Sequence, residues 1–162
     1  LVTLQGMPKV QKALTIRDQN ALKTLDGCNI ETGCKLVVSN CVSLTSLSAA
    51  EGVSSIELYN KCPNLSFEHV PASLKALNLE YFTFKTGLPW LIMLPQACEV
   101  KFGISGGAVH VNVWIGGKET TLPKSLAEKL FQLLLNSRGK KVALLEMQDA
   151  LISEGLDDLA QL

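Results

Sequence analysis

The sequence predicts an α+β protein: a solenoid with a parallel β-sheet, followed by a small domain of a β-hairpin and two to three helices. An apolar–x–apolar phrase returns every 20 to 22 residues over roughly the first 95 residues. The period then ends, and alternating stretches are followed by apolar residues at helical spacing. We therefore expect two domains, residues 1–95 and residues 96–162.

The repeated phrase occurs four times and is followed each time by a second apolar pair. The copies are residues 13–18, 35–40, 55–60 and 76–81, and the pairs are Leu22/Leu25, Leu44/Leu47, Leu65/Phe67 and Phe82/Phe84. A fixed period of this length is typical of a solenoid, whose units bury their apolar faces only by stacking. We expect Leu14, Leu36, Ile56 and Leu77 to stand side by side in neighbouring coils.

The second copy shows how one unit would fold. Alternation places Leu36 and Val38 on one side of a strand, and Val37 and Ser39 on the other. The apolar pair that follows is spaced by three residues, so the chain must curl back to bury both members. Polar residues then lead into the next strand.

At this point the repeats resemble leucine-rich repeats of the short kind. Leu36-x-Val38-x-x-Cys41-x-x-Leu44 is similar to the Leu-x-Leu-x-x-Asn/Cys-x-x-Leu core of that family, and residues 70–79 resemble the Leu-Pro-x-x-Leu-x-x-Leu-x-Leu units of bacterial effectors. The resemblance implies a parallel sheet on a concave face, with looser turns behind it.

The outward strand positions that this resemblance implies form a candidate partner-binding surface. They are Thr15, Arg17, Val37, Ser39, Glu57, Tyr59, Asn78 and Glu80. Tyrosine and arginine are enriched at the energetic centres of protein interfaces. A protein partner is therefore expected here, anchored by Tyr59 with Glu57 and Arg17 nearby.

Composition narrows the classes of function. Apolar residues make up 47% of the 162 residues, as in a globular protein. Basic and acidic residues number 15 each, with eight of each sign through residue 100 and seven beyond it. Neither a dedicated nucleic-acid surface nor a membrane span is expected from this pattern.

The cysteines predict buried free thiols. The chain has five, an odd number, without a Cys-x-x-Cys pair and with two histidines in all. This pattern does not favour zinc, so no metal or cofactor is expected. Unpaired cysteines and the missing leader favour a reducing, cytoplasmic location.

The sequence of the carboxy-terminal region predicts strands followed by helices. Residues 98–102 and 108–115 alternate around a glycine-rich turn and predict a hairpin or small meander. A helix is predicted over residues 122–136, and a second carries Leu145, Met147, Ala150, Leu151 and Ile152. Gly155 would end that helix, and residues 156–162 would begin a third.

This region resembles part of a winged-helix domain of the response-regulator type. The resemblance rests on packing positions: Leu122, Leu130, Leu133, Gly139, Val142, Met147 and Leu151. It implies, as an alternative function, a DNA-binding regulator with a truncated winged helix. Asp157 and Asp158 in the candidate third helix would repel DNA phosphates. We interpret Arg138, Lys140 and Lys141 as basic residues at a helix end, where they complement the helix dipole. It is an equally simple interpretation that this region is an α+β cap that closes the end of the solenoid.

Motifs for catalysis are weak. Residues 103–107 match the Gly-x-Ser-x-Gly elbow of hydrolases, but a strand follows instead of a helix and His110 lies only five residues beyond Ser105. We interpret this stretch as a hairpin turn. We expect His69 to be exposed to solvent. The glycosylation sequon at Asn64 is a match of the pattern only, because Leu65 within it is a core position.

The sequence thus predicts a non-enzymatic recognition module that binds a protein partner through the concave strand face. The alternatives are the DNA-binding regulator above and a substrate-recognition fragment of a larger effector enzyme. The tail-like repeat at residues 1–4 favours a piece of a longer protein.

Overall fold

The computed structural model describes residues 2–59, 62, 64–66, 69–80, 94–103, 109–115, 118–138 and 143–160. The chain forms two compact units. The first comprises Leu1–Thr83 and Ala97–Gly106, and the second comprises Phe84–Gln96 and Gly107–Leu162.

The first unit contains five strands and the second contains a hairpin with helices. The strands of the first unit are β1 (Ala13–Arg17), β2 (Lys35–Ser39), β3 (Ser55–Tyr59), β4 (Ala76–Glu80) and β5 (Glu99–Gly103). The second unit has β6 (His110–Ile115), β7 (Lys118–Pro123), α1 (Lys124–Asn136), α2 (Ala143–Ser153) and a 3-10 turn at Asp157–Leu159.

The five strands of the first unit form one parallel sheet in the order of the sequence. Leu14 pairs with Leu36, Leu36 with Ile56, and Ile56 with Leu77, with Val100 next in line. Each coil of the chain therefore contributes one strand, in register with its neighbour, which confirms the predicted solenoid-like arrangement. We call each coil a rung.

The apolar ladder inside the rungs forms the core. Leu36, Ile56 and Leu77 are at most 1% exposed, and the apolar pairs that follow the strands are equally buried: Leu22, Leu25, Leu44, Leu47 and Leu65. Full burial of such a side chain contributes about 1.5–3 kcal/mol. Stacking therefore stabilises rungs that could not fold alone.

Hydrogen bonds also join the rungs behind the strands. Thr45 N–H donates to Lys23 C=O (2.9 Å), and Ser66 N–H donates to Thr45 C=O (2.9 Å). This second ladder satisfies backbone groups in turns that have no regular secondary structure. Phe67, Phe82 and Phe84 of the predicted apolar pairs lie outside the described residues.

The chain leaves the first two strands through left-handed backbone positions. Asp18 and Asn40 both have φ of 54°, a region that Asn and Asp tolerate better than other side chains. Asn40 Nδ2 donates to Asp18 Oδ1 at 3.0 Å. The two turns therefore stack, as the strands do.

One predicted pairing is wrong. The alternating stretch at residues 98–102 is not one arm of a hairpin with residues 108–115; β5 pairs in parallel with β4, with Asn78 opposite Lys101. The antiparallel partner of β6 is β7, with Val111 opposite Leu122. Alternation fixes which residues share a face, but it does not choose the neighbouring strand. The predicted domain boundary between residues 95 and 96 stays a prediction.

The second unit packs its hairpin and helices around the predicted leucines. Helix α1 begins after Pro123, whose missing N–H costs nothing there, and buries Leu126, Leu130 and Leu134. Helix α2 buries Met147, Ala150 and Leu151, and the left-handed Gly155 (φ 73°) follows it.

Two of the apolar residues of α2 lie on the surface. Leu145 is 59% and Ile152 is 50% exposed, and they are spaced by two turns on one side of the helix. Of the segment predicted to begin a third helix, the structure describes residues 156–160, which contain the 3-10 turn at Asp157–Leu159.

The five cysteines are free thiols. Cys34, Cys41, Cys62 and Cys98 are buried and Cys28 is half-buried. Burial raises the pKa of the thiols of Cys41 and Cys62. Within the described residues, the chain has no helix that is long and apolar enough to cross a membrane.

Candidate functional site

The eight predicted partner-binding residues lie on strands β1 to β4 in two adjacent rows. Thr15, Val37, Glu57 and Asn78 align across the sheet, as do Arg17, Ser39 and Tyr59, while Glu80 occupies β4 opposite Gly103 of β5. We call these eight residues the strand face. Because strands alternate, this face is opposite to the buried ladder of Leu36 and Val38.

A charge cluster lies at the centre of the strand face. Lys35 Nζ lies 2.6 Å from Glu57 Oε1, and the Tyr59 hydroxyl donates to Glu57 Oε2 at 3.0 Å. Both carboxylate oxygens of Glu57 therefore have a donor from this cluster. We call Lys35, Glu57 and Tyr59 the charge cluster.

The charge cluster favours the ionised form of Glu57. The hydrogen bond from Lys35 lowers the pKa of Glu57, the bond from Tyr59 lowers it further, and partial burial opposes both. The Tyr59 ring is consequently held by its hydroxyl, so less side-chain freedom would be lost if a partner packed on it.

Exposure differs among the members of the strand face. Thr15 and Arg17 are exposed, and Tyr59 and Asn78 are half-buried. Val37 and Ser39 are 8% and 9% exposed and offer little surface for contact. For Glu80 the structure describes only the backbone position.

Arg17 is the exposed cation of this group. Among the described residues it forms no ion pair, whereas Lys35 in the next rung is already paired with Glu57. Ser39 lies between Arg17 and Tyr59 in the same row. Arg17 and Tyr59 are thus two strands apart, about 9–10 Å between backbones.

Sequence reasoning missed part of this side of the sheet. Lys35 lies two residues before Val37 and so faces the same way, and Lys101 of β5 continues the row of Asn78. Alternation within residues 35–40, the second copy of the repeated phrase, already implies that Lys35 faces the same side as Val37 and Ser39. The position of Lys101 depended on the pairing of β5 with β4, which the sequence did not reveal.

Small residues leave a depression of about 130 Å³ beside the charge cluster. It is lined by Ser55, Glu57, Ala76, Leu77, Asn78, Glu99 and Lys101. Glu99 and Lys101 are exposed. The depression is open and mixed in charge, which suits a side chain of a partner protein better than an enclosed small molecule.

The weaker motifs gain no support as catalytic groups. Residues 104–107 of the Gly-x-Ser-x-Gly match, with Ser105, lie outside the described residues, and His110 and His69 are exposed. Within the described part of the chain, no three His, Cys, Asp or Glu side chains form a group that could hold a metal ion.

Arg138 follows the end of helix α1, as predicted. Its Nε donates to Leu135 C=O (3.0 Å) and its Nη1 donates to Pro95 C=O (2.8 Å). These bonds satisfy a carbonyl of the last helical turn and the carbonyl of Pro95 within the second unit. Lys140 and Lys141 lie outside the described residues.

Comparison of the chain with protein-family models, with curated proteins and with solved structures finds no match.

Proposed function

We propose that this protein is a non-enzymatic recognition module that binds a protein partner through the strand face. The proposal rests on one observation above all: polar and charged side chains from successive rungs stand in register on one side of the sheet. Polar residues on this surface do not reduce the burial of the core, because the apolar ladder faces the other side of the sheet.

Preorganisation supports a binding role. Glu57 is fixed by two donors and Tyr59 by its bond to Glu57, so a partner would meet side chains that are already ordered. The exposed Arg17 supplies a guanidinium with which a carboxylate of the partner can form two parallel hydrogen bonds. We therefore expect a partner with an aromatic or apolar contact for Tyr59 and an acidic group for Arg17.

The experiment uses a photo-crosslinking residue introduced at Lys101, beside the strand face. A matched probe is placed at Lys23, in the turn behind the strands. A protein captured from the Lys101 position and not from Lys23 is then purified, and its dissociation constant is measured against the unlabelled chain. The proposal predicts that such a partner exists.

The decisive variant is the double substitution Arg17→Ala with Tyr59→Ala. We expect at least about a tenfold loss of affinity with a nearly unchanged melting temperature, since interface anchors of these types carry most of the binding energy. The matched control, Lys23→Ala with Val42→Ala, removes one charged and one apolar exposed side chain elsewhere and should leave affinity unchanged. Equal affinity for the double variant and the original chain would refute a role for the strand face.

A further inference from the structure

Helix α2 carries apolar side chains on two opposite sides. Met147, Ala150 and Leu151 are buried in the core of the second unit. Leu145 and Ile152 are 59% and 50% exposed. Because an α-helix has 3.6 residues per turn, these two point away from the three buried residues. The helix therefore presents an apolar pair to solvent on the side opposite to its core contacts.

An acidic residue lies between the two exposed apolar residues. Asp149 follows Leu145 by four residues and precedes Ile152 by three, so it shares their side of the helix. It is exposed as well. We call Leu145, Asp149 and Ile152 the outer side of α2.

Helix α1 shows how a solvated helix side differs in the same unit. All the exposed residues of α1 are polar: Ser125, Glu128, Lys129, Gln132 and Asn136. A helix with one apolar side is typical of a protein surface, whereas a helix that is apolar on both sides is typical of one covered on both. The outer side of α2 thus resembles a contact surface.

The chain from α2 onward carries only negative charge. Residues 143–160 contain five acidic residues and no Lys, Arg or His. Two of the five have neighbours at α1, since Glu154 lies 3.3 Å from Lys129 and Glu146 accepts a bond from the Ser137 hydroxyl at 2.6 Å. The other three are exposed and form no ion pair among the described residues. They are Asp149, Asp157 and Asp158.

This charge is concentrated near the end of α2. The last turn of the helix has no basic residue, although the carbonyl end of a helix is negative and is stabilised by cations. Asp157 and Asp158 belong to the 3-10 turn that follows. The segment after α2 folds back along the helix, since Gln148 Nε2 donates to Ala160 C=O at 2.9 Å. Negative charge therefore lies beside the apolar pair, chiefly at Ile152.

The charges decide which occupant suits the outer side of α2. A second copy that packed through its own α2 would bring acidic side chains against acidic side chains, which opposes association. Nucleic acid would be repelled for the same reason. A basic segment with apolar residues at helical spacing complements both the apolar pair and the negative charge.

We propose that the outer side of α2 binds a basic amphipathic helix of another protein. Apolar residues of that helix pack on Leu145 and Ile152, and its lysine or arginine residues lie beside Asp149, Asp157 and Asp158. The contact area is small, as in transient complexes. This inference goes beyond the proposed function and is independent of it, because the strand face belongs to the first unit.

The probe is the blocked peptide Ala-Lys-Leu-Lys-Lys-Leu-Leu-Ala-Lys-Leu-Ala-Lys, whose leucines recur at helical spacing. Its titration into the full chain, followed by amide NMR, should give saturable binding with the largest shifts within residues 143–160. One control peptide has glutamate in place of every lysine, and another has glutamine in place of every leucine. Each control should bind at least about tenfold more weakly.

A variant of the protein tests the apolar pair. Leu145→Gln with Ile152→Gln should weaken binding of the probe at least about tenfold. Both side chains are exposed, so we expect a nearly unchanged melting temperature. The matched control, Val42→Gln with Val109→Gln, changes two exposed apolar residues elsewhere and should keep the original affinity.

A second variant tests the charge. Asp157→Asn with Asp158→Asn should weaken binding and make it less sensitive to salt, because two charges that attract the probe are lost. Asp26→Asn with Glu51→Gln, which neutralises two exposed acidic residues of the first unit, should change neither. If the Leu145→Gln and Ile152→Gln variant does not fold, the control peptides and this variant decide.

Four results would overturn the proposal. They are the absence of saturable binding, largest amide shifts outside residues 143–160, equal binding of the probe and either control peptide, and self-association of the chain that Leu145→Gln with Ile152→Gln abolishes. The last result would assign the outer side of α2 to a second copy. None of these results depends on whether the strand face binds its own partner.

Discussion

Glu57 illustrates how single residues on the sheet acquire fixed roles. Its carboxylate lies between Lys35 from the preceding rung and Tyr59 two positions along its own strand. The first neighbour is a consequence of stacking at a separation of 22 residues, and the second follows from alternation. A charged residue that would otherwise be solvated thereby becomes part of an ordered surface.

This arrangement predicts a graded change in the pKa of Glu57. Lys35→Met should raise that pKa, because the bond to Lys35 is the main cause of its lowering, and Tyr59→Phe should raise it by less. Carbon NMR titration of the Glu57 carboxyl group measures both shifts. Lys12→Met, which removes an exposed lysine of the neighbouring segment, is the control. An unchanged pKa in Lys35→Met would show that the ion pair does not form in solution.

The same bond predicts how stability depends on pH. Folding lowers the pKa of Glu57, so its contribution is present above the pKa of the unfolded chain and is lost as pH falls through the folded value. The stability advantage of the original chain over Glu57→Gln, roughly 0.2–1 kcal/mol for a partly exposed pair, should therefore shrink in acid. Urea unfolding at neutral and acidic pH measures it, and an advantage that grows in acid would contradict the assignment.

At the scale of elements, strands at equivalent places in the repeat differ in how deeply their apolar side chains are buried. Leu36 of β2 has a strand on each side and is 0% exposed, whereas Leu14 of β1, which among the described residues pairs with β2 alone, is half-buried. The two leucines occupy the same position in the repeated phrase and pair in register. The position of a strand in the stack therefore sets how much its burial contributes to the free energy of folding.

Truncation of these two leucines tests that difference. Leu36→Ala should cost about 2–5 kcal/mol through lost burial and a cavity. Leu14→Ala should cost less, about 1 kcal/mol, because part of its surface is already in water. Urea denaturation of both variants gives the comparison. Equal losses would mean that Leu14 is buried in solution as deeply as Leu36.

Elements differ in how well the sequence predicted them. The four repeat strands and α1 followed directly from periods of 2 and 3.6, which are local properties of the chain. The partner of β5 did not, because residues 98–102 alternate equally well beside β4 or beside a hairpin neighbour. Leu145 and Ile152 show a related limit, since they are exposed although apolar: apolar character leads to burial only when a neighbouring element covers that side.

For the whole molecule, charge bears on the choice between functions. Basic and acidic residues are equal in number, and the balance holds on both sides of residue 100. Affinity for nucleic acid comes largely from many basic side chains that displace counterions from phosphates. The acidic Asp157 and Asp158 in the 3-10 turn would oppose such contacts.

We therefore expect no strongly salt-dependent binding of the full chain to a DNA duplex. A gel-shift titration at low and high salt checks this, with a basic DNA-binding protein as the positive control. Tight binding at low salt that weakens steeply at high salt would instead favour the regulator with a truncated winged helix.

The sequence by itself determined the stacked rungs, since a 20- to 22-residue period of apolar–x–apolar phrases has no other way to bury its leucines. It also determined which residues of each strand face outward, because the side-chain period of a strand is two. Only the tertiary structure decided that β5 joins the sheet and that Lys35 reaches Glu57. Those features depend on which segments become neighbours across the fold, and that choice is made by the packing of the whole unit.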